Sequence, residues 1–562
     1  MLRVRVRRLL GPVAVAVAAL AAGGLIYTHR ILLGGPFMWD EAAHALRGLL
    51  IARDCREGDW LALLYDTYSQ VYWPPLHAWL TGAAFLAYGP TITAARSVSL
   101  IAFVLLAPTL FFAARGVRST HGDLAGIVAT ALALASPALV TYAAQAMLEL
   151  PALLGFSLTL LIYIRLGHNG VSARAHALLG LGIMLTYFIR LNYGLLLLLA
   201  VVLALLIEAN FRPRRLLTRS NAYVALPVSL LSAVWFAYPP KVVATWQALI
   251  NRPWGGPETR GIAGLLFYPR VLLHDSGSVW IFFLFLASFV AAWPRRHNRN
   301  VRLFLILIIA QFLICAGHHS KDERYILPVL PPLFLLTGIA VAEWWERWPQ
   351  HRVVRLAAAA ALAGVFVLQA RNSLGLVEQS PARPTEEVLE YIAEVVRVTE
   401  PTLVLGTMDV VTGPPIIDWH LITRAHLLSV TRAGSLSHVE MERQTADALK
   451  RALGPGRLRD EMVRVLTRYD DGAATRSFYL GLPTDIDGAR FDTWLQCTLG
   501  TAKFGGVVVI TSLSDTARYP LSFAAPSLQR AALSHLRSRE FTDLRVRVDL
   551  YGPLGPEFRR TD

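Results

Sequence analysis

Apolar residues in this chain gather in long, nearly uninterrupted stretches, a pattern neither a half-buried strand nor the one-faced helix of a soluble domain would need. The first runs from Leu10 to about Leu33, long enough to cross ~30 Å of hydrocarbon, and follows Arg3, Arg5, Arg7 and Arg8. Further stretches lie near 92–114, 124–146, 150–166, 175–189, 193–208, 221–239, 276–293, 302–317, 325–343 and 355–370, predicting eleven spans in all. A basic front places the start of the first span in the cytoplasm. A cleaved signal peptide has the same front, but the ten later stretches favour an uncleaved span.

One apolar piece breaks the scheme. Between Pro75 and Pro90 lie the fourteen residues LHAWLTGAAFLAYG, too few to cross and bounded by prolines, so a helix at the outer interface is expected there. After Ala370 the pattern changes. PTEEVLEYIAEVVRVTEP (384–401) has helical spacing behind a Thr385 cap, while TLVLG (402–406) and VVVITS (507–512) read as buried strands. The expected architecture is a polytopic α-helical membrane domain over 1–370, with an outer loop at 34–91, followed by an extracytoplasmic α/β domain over 371–562.

Charge sharpens this picture. Of the 54 Lys and Arg in 562 residues, 31 lie at or before Ala370 against 15 acids, and 23 after it against 24. Alternation from a cytoplasmic start puts inside the N-terminus and the clusters Arg115 and Arg118, Arg165 and Arg174, Arg212 to Arg219, Arg295 to Arg302, and Arg347 to Arg355. These hold 19 of the 31 basic residues and 4 of the 15 acids. Reading 76–89 as a span would move the Arg212 to Arg219 cluster outside, against that rule. With 54% hydrophobic residues, 17% charged ones and a mean hydropathy of +0.45, a soluble enzyme is excluded. Basic residues spread between spans are no nucleic-acid footprint, so nucleic acid is not expected as a partner. Arg outnumbers Lys 50 to 4, which hints at a GC-rich genome, and the expected location is a bacterial inner or plasma membrane. Cys55, Cys315 and Cys497 have no metal spacing; a Cys55–Cys497 disulfide and two separate thiols both remain open.

Candidate chemistry sits at the outer ends of the spans. Asp40 and Glu41 follow the first span within a few residues, and a helix through AAHALRGLL would set Asp40, His44 and Arg47 at i, i+4 and i+7 on one face, where a carboxylate could act as a base. The alternative is that Asp40 caps a surface helix. Glu149, between two apolar runs, is costly unless paired or used; otherwise it reaches water. Arg190, Asn192 and Tyr193 interrupt another apolar region, and His318, His319, Lys321, Arg324 and Tyr325 stand outside a later span. Such cations suit a lipid phosphate, while Arg190 could equally snorkel to the interface. The tail has no phosphate loop, metal cluster or nucleophile motif, so recognition or shielding of substrate is its expected role.

Taken in order, WDEAAHALRG, YWPPLHAWLTGAAFLAYGPTITAARSVSL, AQAMLELPALL, LTYFIRLNYGLLLL and DERYILPVLPPLFLL resemble the GT-C superfamily of membrane glycosyltransferases, and within it the protein O-mannosyltransferase and aminoarabinose transferase group, glycosyltransferase family 39-like. The resemblance covers about residues 9–345. It implies a transferase that takes its sugar from a polyprenyl-phosphate donor at the outer face and passes it to a hydroxyl on a lipid, glycan or protein acceptor. In such families the first-loop Asp is the catalytic base, a role that carries to Asp40 beside Glu41, and the second acid corresponds to Glu149. Two departures stand out: Trp73 replaces the Lys often found before the Pro-Pro motif, and Arg190 replaces a later Lys. Phosphate binding therefore shifts to Arg190, Lys321 and Arg324, with His44, Tyr193 and Tyr325 as substrate-binding candidates. No metal is required, although a divalent ion bridging Asp40 and Glu149 is compatible with these residue types. The rival reading is a non-enzymatic transporter or flippase of a lipid-linked sugar, which needs its acids near mid-membrane.

Overall fold

The computed structural model describes residues 2–37, 40–68, 70, 73–117, 120–166, 172–250, 261–275, 278–318, 321–347, 352–378, 384–398, 402–407, 416, 419, 463–470, 473–482, 506–512, 524–542 and 546–552. It divides into two compact units: Met1–Gly34, Gly48–Glu57 and Leu63–Ser380 form one, and Gly35–Arg47, Gly58–Ala62 and Pro381–Asp562 the other.

The first unit is helical. Helix α1 (Leu2–Ile26) continues into a π-helical turn at Tyr27–Ile31; then come α2 (Asp40–Glu57) and α3 (Trp60–Tyr68), whose first residues, through Arg47 and Ala62, belong to the second unit, and α4 (Leu76–Tyr88), α5 (Ile92–Val117), α6 (Gly122–Leu134), α7 (Pro137–Ala143) and α8 (Glu149–Leu166). They are followed by α9 (Ala173–Ile189), α10 (Leu191–Glu208), α11 (Arg219–Phe236), α12 (Pro239–Ile250), α13 (Gly261–Asp275), α14 (Val279–Ala292), α15 (Arg299–Gly317), α16 (Leu330–Arg347) and α17 (Arg352–Glu378). Among the described residues, each stretch read as a span is mostly helical. By length and apolar composition, however, six helices among the described residues can cross a membrane, or up to eight if each of two bent pairs is one span, against the eleven expected. The reasons are local: α9 has only 17 residues, α11 opens on Arg219, Ser220 and Asn221, and α17 is rich in alanine and carries Gln369, Arg371 and Asn372. The stretch expected at 124–146 is a bent pair, α6 and α7, turning through 62°. Pro137 at the start of α7 lacks an N–H and holds Ser136 extended (ψ 120°), which ends α6.

Side chains sort the helices by depth. From Leu330 to Ala342 every residue of α16 is buried, whereas α1 exposes Leu10, Val13, Val17 and Leu20, α11 exposes Leu226 and Leu230, and α14 exposes Phe283, Leu286 and Val290. An apolar exterior around an apolar core is what a lipid environment selects. Small residues bring the backbones close. A β-carbon on Gly338 of α16 would stand 2.3 Å from the Ala125 carbonyl oxygen of α6, so only glycine fits there. Hydroxyls cross-link neighbours: Ser99 Oγ donates to the Met147 carbonyl and Thr130 Oγ1 to the Ala107 carbonyl, each at 3.0 Å.

Polar contacts between helix ends fall into two layers. Arg115–Asp123 (3.1 Å), Arg302–Glu208, Arg295–Glu343 and the Arg299 guanidinium over the Tyr163 ring (4.2 Å) join ends that the alternating order assigns to one side. Glu149–Arg190, Arg324–Glu149 and the Tyr68 hydroxyl donating to the Val234 carbonyl (2.8 Å) join ends assigned to the other.

The second unit holds β1 (Thr402–Thr407), β2 (Val463–Asp470), β3 (Ala473–Leu482), β4 (Gly506–Ser512), β5 (Ser534–Phe541) and β6 (Val546–Gly552) in one sheet of order β2-β3-β1-β4-β6-β5. Strand β1 lies parallel to β3 and β4, with Val404 opposite Val508, and the outer pairs are antiparallel. The VVVI run of β4 is buried throughout, as a central strand requires. Helix α18 (Pro384–Val398) packs on it, burying Val388, Leu389, Ile392 and Val395 while Glu386, Glu387, Glu390 and Glu394 face outward. Cys497, the suggested partner of Cys55, lies outside the described residues.

Candidate active site

The two groups of candidate residues belong to different units. In the second unit, Asp40 opens α2, with Glu41 after it and His44 one turn on. Ala42, Ala43, Ala45 and Leu46 are buried around them, and Glu41 and His44 are only 2% and 4% exposed. The surface-helix alternative therefore fails for this turn, although Asp40 itself is half-buried. Both carboxylates stand in the first turn of α2, at the positive end of its dipole. Phe37 precedes them, its ring 4.8 Å from that of Trp419.

In the first unit a charged cluster forms where α8 begins, α9 turns into α10, and α15 leads to α16. Arg190 sits at the α9–α10 corner with an extended backbone (φ −148°, ψ 114°), its N–H still bonded to the Thr186 carbonyl. The corner is tight, because a β-carbon on Gly194 would lie 2.4 Å from the Tyr187 α-carbon. The Arg190 guanidinium turns inward, donates to Glu149 Oε1 and to Asn192 Oδ1 (3.2 Å), and lies 5.0 Å from the centre of the Tyr193 ring. Arg190 thus pairs with a buried acid instead of snorkelling. Glu149 is fully buried; its other oxygen, Oε2, has no hydrogen-bond partner among the described residues.

Arg324 completes the cluster. Its Nε is 3.9 Å from Glu149 Oε1, while Nε and Nη2 donate to Asp322 Oδ2 at 3.0 and 2.8 Å. Burial pushes the Asp322 carboxyl up, but the bonds and charge of Arg324 outweigh it and hold the group below the ordinary carboxylate value. Burial likewise works against the Arg190 charge, and the Glu149 carboxylate more than offsets it. Lys321 has a different employment: its Nζ donates to the Cys315 and Ala316 carbonyls at 2.7 and 2.9 Å, closing the end of α15. One of its three protons remains for a ligand. Tyr325 stands beside them, its ring 6.2 Å from that of His318, and His319 lies outside the described residues.

Three members were not singled out from the sequence. Tyr142 of α7 lies close enough to feel the charges of Glu149, Arg324, Asp322 and Arg190, and Tyr268 of α13 reaches Lys321 (5.4 Å). Asp322 orients Arg324 and caps the 3₁₀ turn Glu323–Val329. The available signals were a tyrosine seven residues before Glu149 and an acid two before Arg324. Among the described residues no group of three or more His, Cys, Asp or Glu converges. With Arg190, Arg324 and Lys321 against Glu149 and Asp322, the cluster carries one excess positive charge.

An apolar helical bundle followed by a mixed sheet at the C-terminal end is a fold that this chain shares with solved structures. The structure is similar to ArnT from Cupriavidus metallidurans bound to undecaprenyl phosphate, with a TM-score of 0.58 and 15% identity over 96% of this chain and 98% of that one. The apo state of the same protein gives 0.59 and 16%, over 96% and 97%. The oligosaccharyltransferase of Archaeoglobus fulgidus in its apo form gives 0.49 and 12%, over 94% and 73%. At these identities the likeness is one of fold, and it extends well past residues 9–345. No protein-family model matches the sequence, and no curated protein matches it.

Proposed function

We propose that this protein is a glycosyltransferase that moves a sugar from a polyprenyl-phosphate donor to an acceptor hydroxyl at the outer face of the membrane. The observation that carries the reading is the cluster itself: a buried carboxylate with one open oxygen, held between two guanidiniums, in a fold shared with a protein that binds undecaprenyl phosphate. An acceptor hydroxyl is a weak nucleophile, so Asp40 takes its proton as the oxygen attacks the anomeric carbon in line with the departing phosphate, inverting that centre. Glu41 and Glu149 are the further acids assigned to catalysis in this reading. Arg190, Arg324 and the free proton of Lys321 meet the charge that grows on the phosphate. His44, Tyr193 and Tyr325 contact sugar or acceptor. The scheme needs no metal.

The orientation belongs to the same proposal. Tyr68 precedes α4 and bonds to Val234, which follows it, so an even number of crossings separates them. Reading 92–239 as six spans and α4 as an outer interfacial helix meets that condition; an α4 crossing would make seven. Eleven spans then leave the tail outside, where it recognises or shields substrate.

The transporter alternative asks for acids at mid-membrane. Glu149 is instead the first residue of α8, and Arg190 and Asp322 lie between helices, which favours the enzyme. The deciding experiment supplies purified protein with polyprenyl-phosphate sugars and candidate acceptors and follows product and free polyprenyl phosphate by mass spectrometry. Donor that crosses a vesicle bilayer intact, with no sugar transferred, would replace the enzyme by the carrier.

A further inference from the structure

Lys241 is fully buried, yet its Nζ has no hydrogen-bond partner among the described residues. What it has is a pair of aromatic faces: the centroid of the Trp235 ring at 2.8 Å and that of the Tyr68 ring at 4.3 Å. A desolvated ammonium between two rings is held by their quadrupoles, an attraction of some strength only because water is absent. These three residues come from α12, α11 and α3, so the cation ties three elements together, beside the Tyr68 hydroxyl that donates to the Val234 carbonyl.

The tie leads to the charged cluster. The Trp235 ring packs edge-on against Phe188 at 5.4 Å and tilted against Tyr68 at 5.8 Å; Tyr187 meets Phe188 at 5.7 Å and Phe236 at 6.2 Å. Met184, Tyr187 and Trp235 form a small core of their own. Tyr187 and Phe188 are the last turn of α9. Two residues later comes Arg190, and the Tyr187 backbone is pressed on Gly194 in the first turn of α10. A shift of Trp235 is therefore passed through Phe188 and Tyr187 to both sides of the corner that aims the Arg190 guanidinium.

We infer that Lys241 is a positioning residue, whose ammonium, clasped by Trp235 and Tyr68, sets the angle of the α9–α10 corner and through it the reach of Arg190 toward the donor phosphate. This rests on the proposed role of Arg190. Lys241 touches no reacting atom. Burial pushes its ammonium down to about 7, so the clasp is fully charged only below that pH and works against a desolvation cost.

The test is a double-mutant cycle on the full-length protein in nanodiscs, read as the Kd for undecaprenyl phosphate. Lys241→Met should raise Kd about tenfold, and Lys241→Arg, which keeps a cation for the rings, should recover most of that loss. Trp235→Leu should match Lys241→Met. In an Arg190→Ala background the Lys241→Met change should add nothing, because its route to the phosphate is gone. Two independent, additive losses would overturn the inference, as would an unchanged Kd in Lys241→Met while Arg190→Ala binds weakly. If Arg190→Ala itself binds normally, the donor-site reading falls and takes the inference with it. Should Lys241→Met not fold, Tyr68→Leu, which removes one of the two rings, carries the same expectation.

Discussion

Glu149 and Arg190, 41 positions apart, meet as a buried ion pair where α8 starts and α9 ends. Breaking such a pair from one side leaves an uncompensated buried charge, a loss of about 3–5 kcal/mol. Glu149→Gln should therefore lower the apparent melting temperature and impair transfer, and adding Arg190→Met should restore part of the stability but none of the transfer. A melting curve of Glu149→Gln that overlays the wild type would show that the pair contributes nothing to holding α8 against α9.

Asp40 is half-buried where α2 begins, and Asn keeps its size and most of its hydrogen-bonding capacity there. Asp40→Asn should abolish transfer with little change in melting temperature, whereas Glu149→Gln should lose less activity and more stability. Turnover of Asp40→Asn near the wild-type rate with a purified donor would remove the base and return Asp40 to a helix-starting role.

The pattern of apolar runs showed the helices because a bilayer demands continuous hydrophobicity, and this demand is written residue by residue. It did not show that Glu149 and Arg190 are partners: each stood out alone, but their meeting is a product of how α8 packs on α9. The 124–146 stretch read as one span since its mean is apolar, and Pro137, which bends it, was the overlooked signal. Helices α12 and α13 were not foreseen; Pro239, Lys241 and Pro269 break their apolar pattern, and their helicity depends on what they pack against. In the first outer loop the Asp-Glu pair was legible, while the burial of Glu41 and His44 was not, for nothing in AAHALRG says which face is covered.

Orientation is open to a direct measurement. Arg215 lies between α10 and α11 and Ser373 near the end of α17, and the alternation puts the first inside and the second outside. A reporter active only outside should therefore be silent when fused at Arg215 and active at Ser373. Activity at Arg215 would invert the scheme and move the charged cluster to the cytoplasmic face, and silence at Ser373 would overturn the count of later spans and the placement of the tail.

Asp322 offers a test by pH. Its carboxyl is held below the ordinary value by Arg324, so the folded state binds its proton less readily than the unfolded chain. The stabilisation is complete above the unfolded value, about pH 4, and is lost as pH falls through the lowered folded one. The melting temperature of Asp322→Asn should thus lie below that of the wild type by a constant margin above about pH 5, and the margin should close under more acidic conditions. A margin independent of pH down to about 3 would mean that the loss comes from the turn at Glu323–Val329 rather than from the carboxylate charge.

Arg190 decides whether this cluster handles the donor at all. Its guanidinium already serves Glu149 and Asn192, and a planar fork with five donors can do so and still present an edge to a phosphate, which an ammonium cannot. Arg190→Lys should retain the charge, keep part of the Glu149 pairing and bind donor more weakly than the wild type; Arg190→Gln and Arg190→Ala should lose donor affinity and slow transfer at saturating donor alike, since the charge is needed in both ground and transition states. Loss of stability without loss of affinity in all three variants, measured by titration with undecaprenyl phosphate, would confine Arg190 to holding Glu149 and leave the phosphate to Arg324 and the one unengaged proton of Lys321.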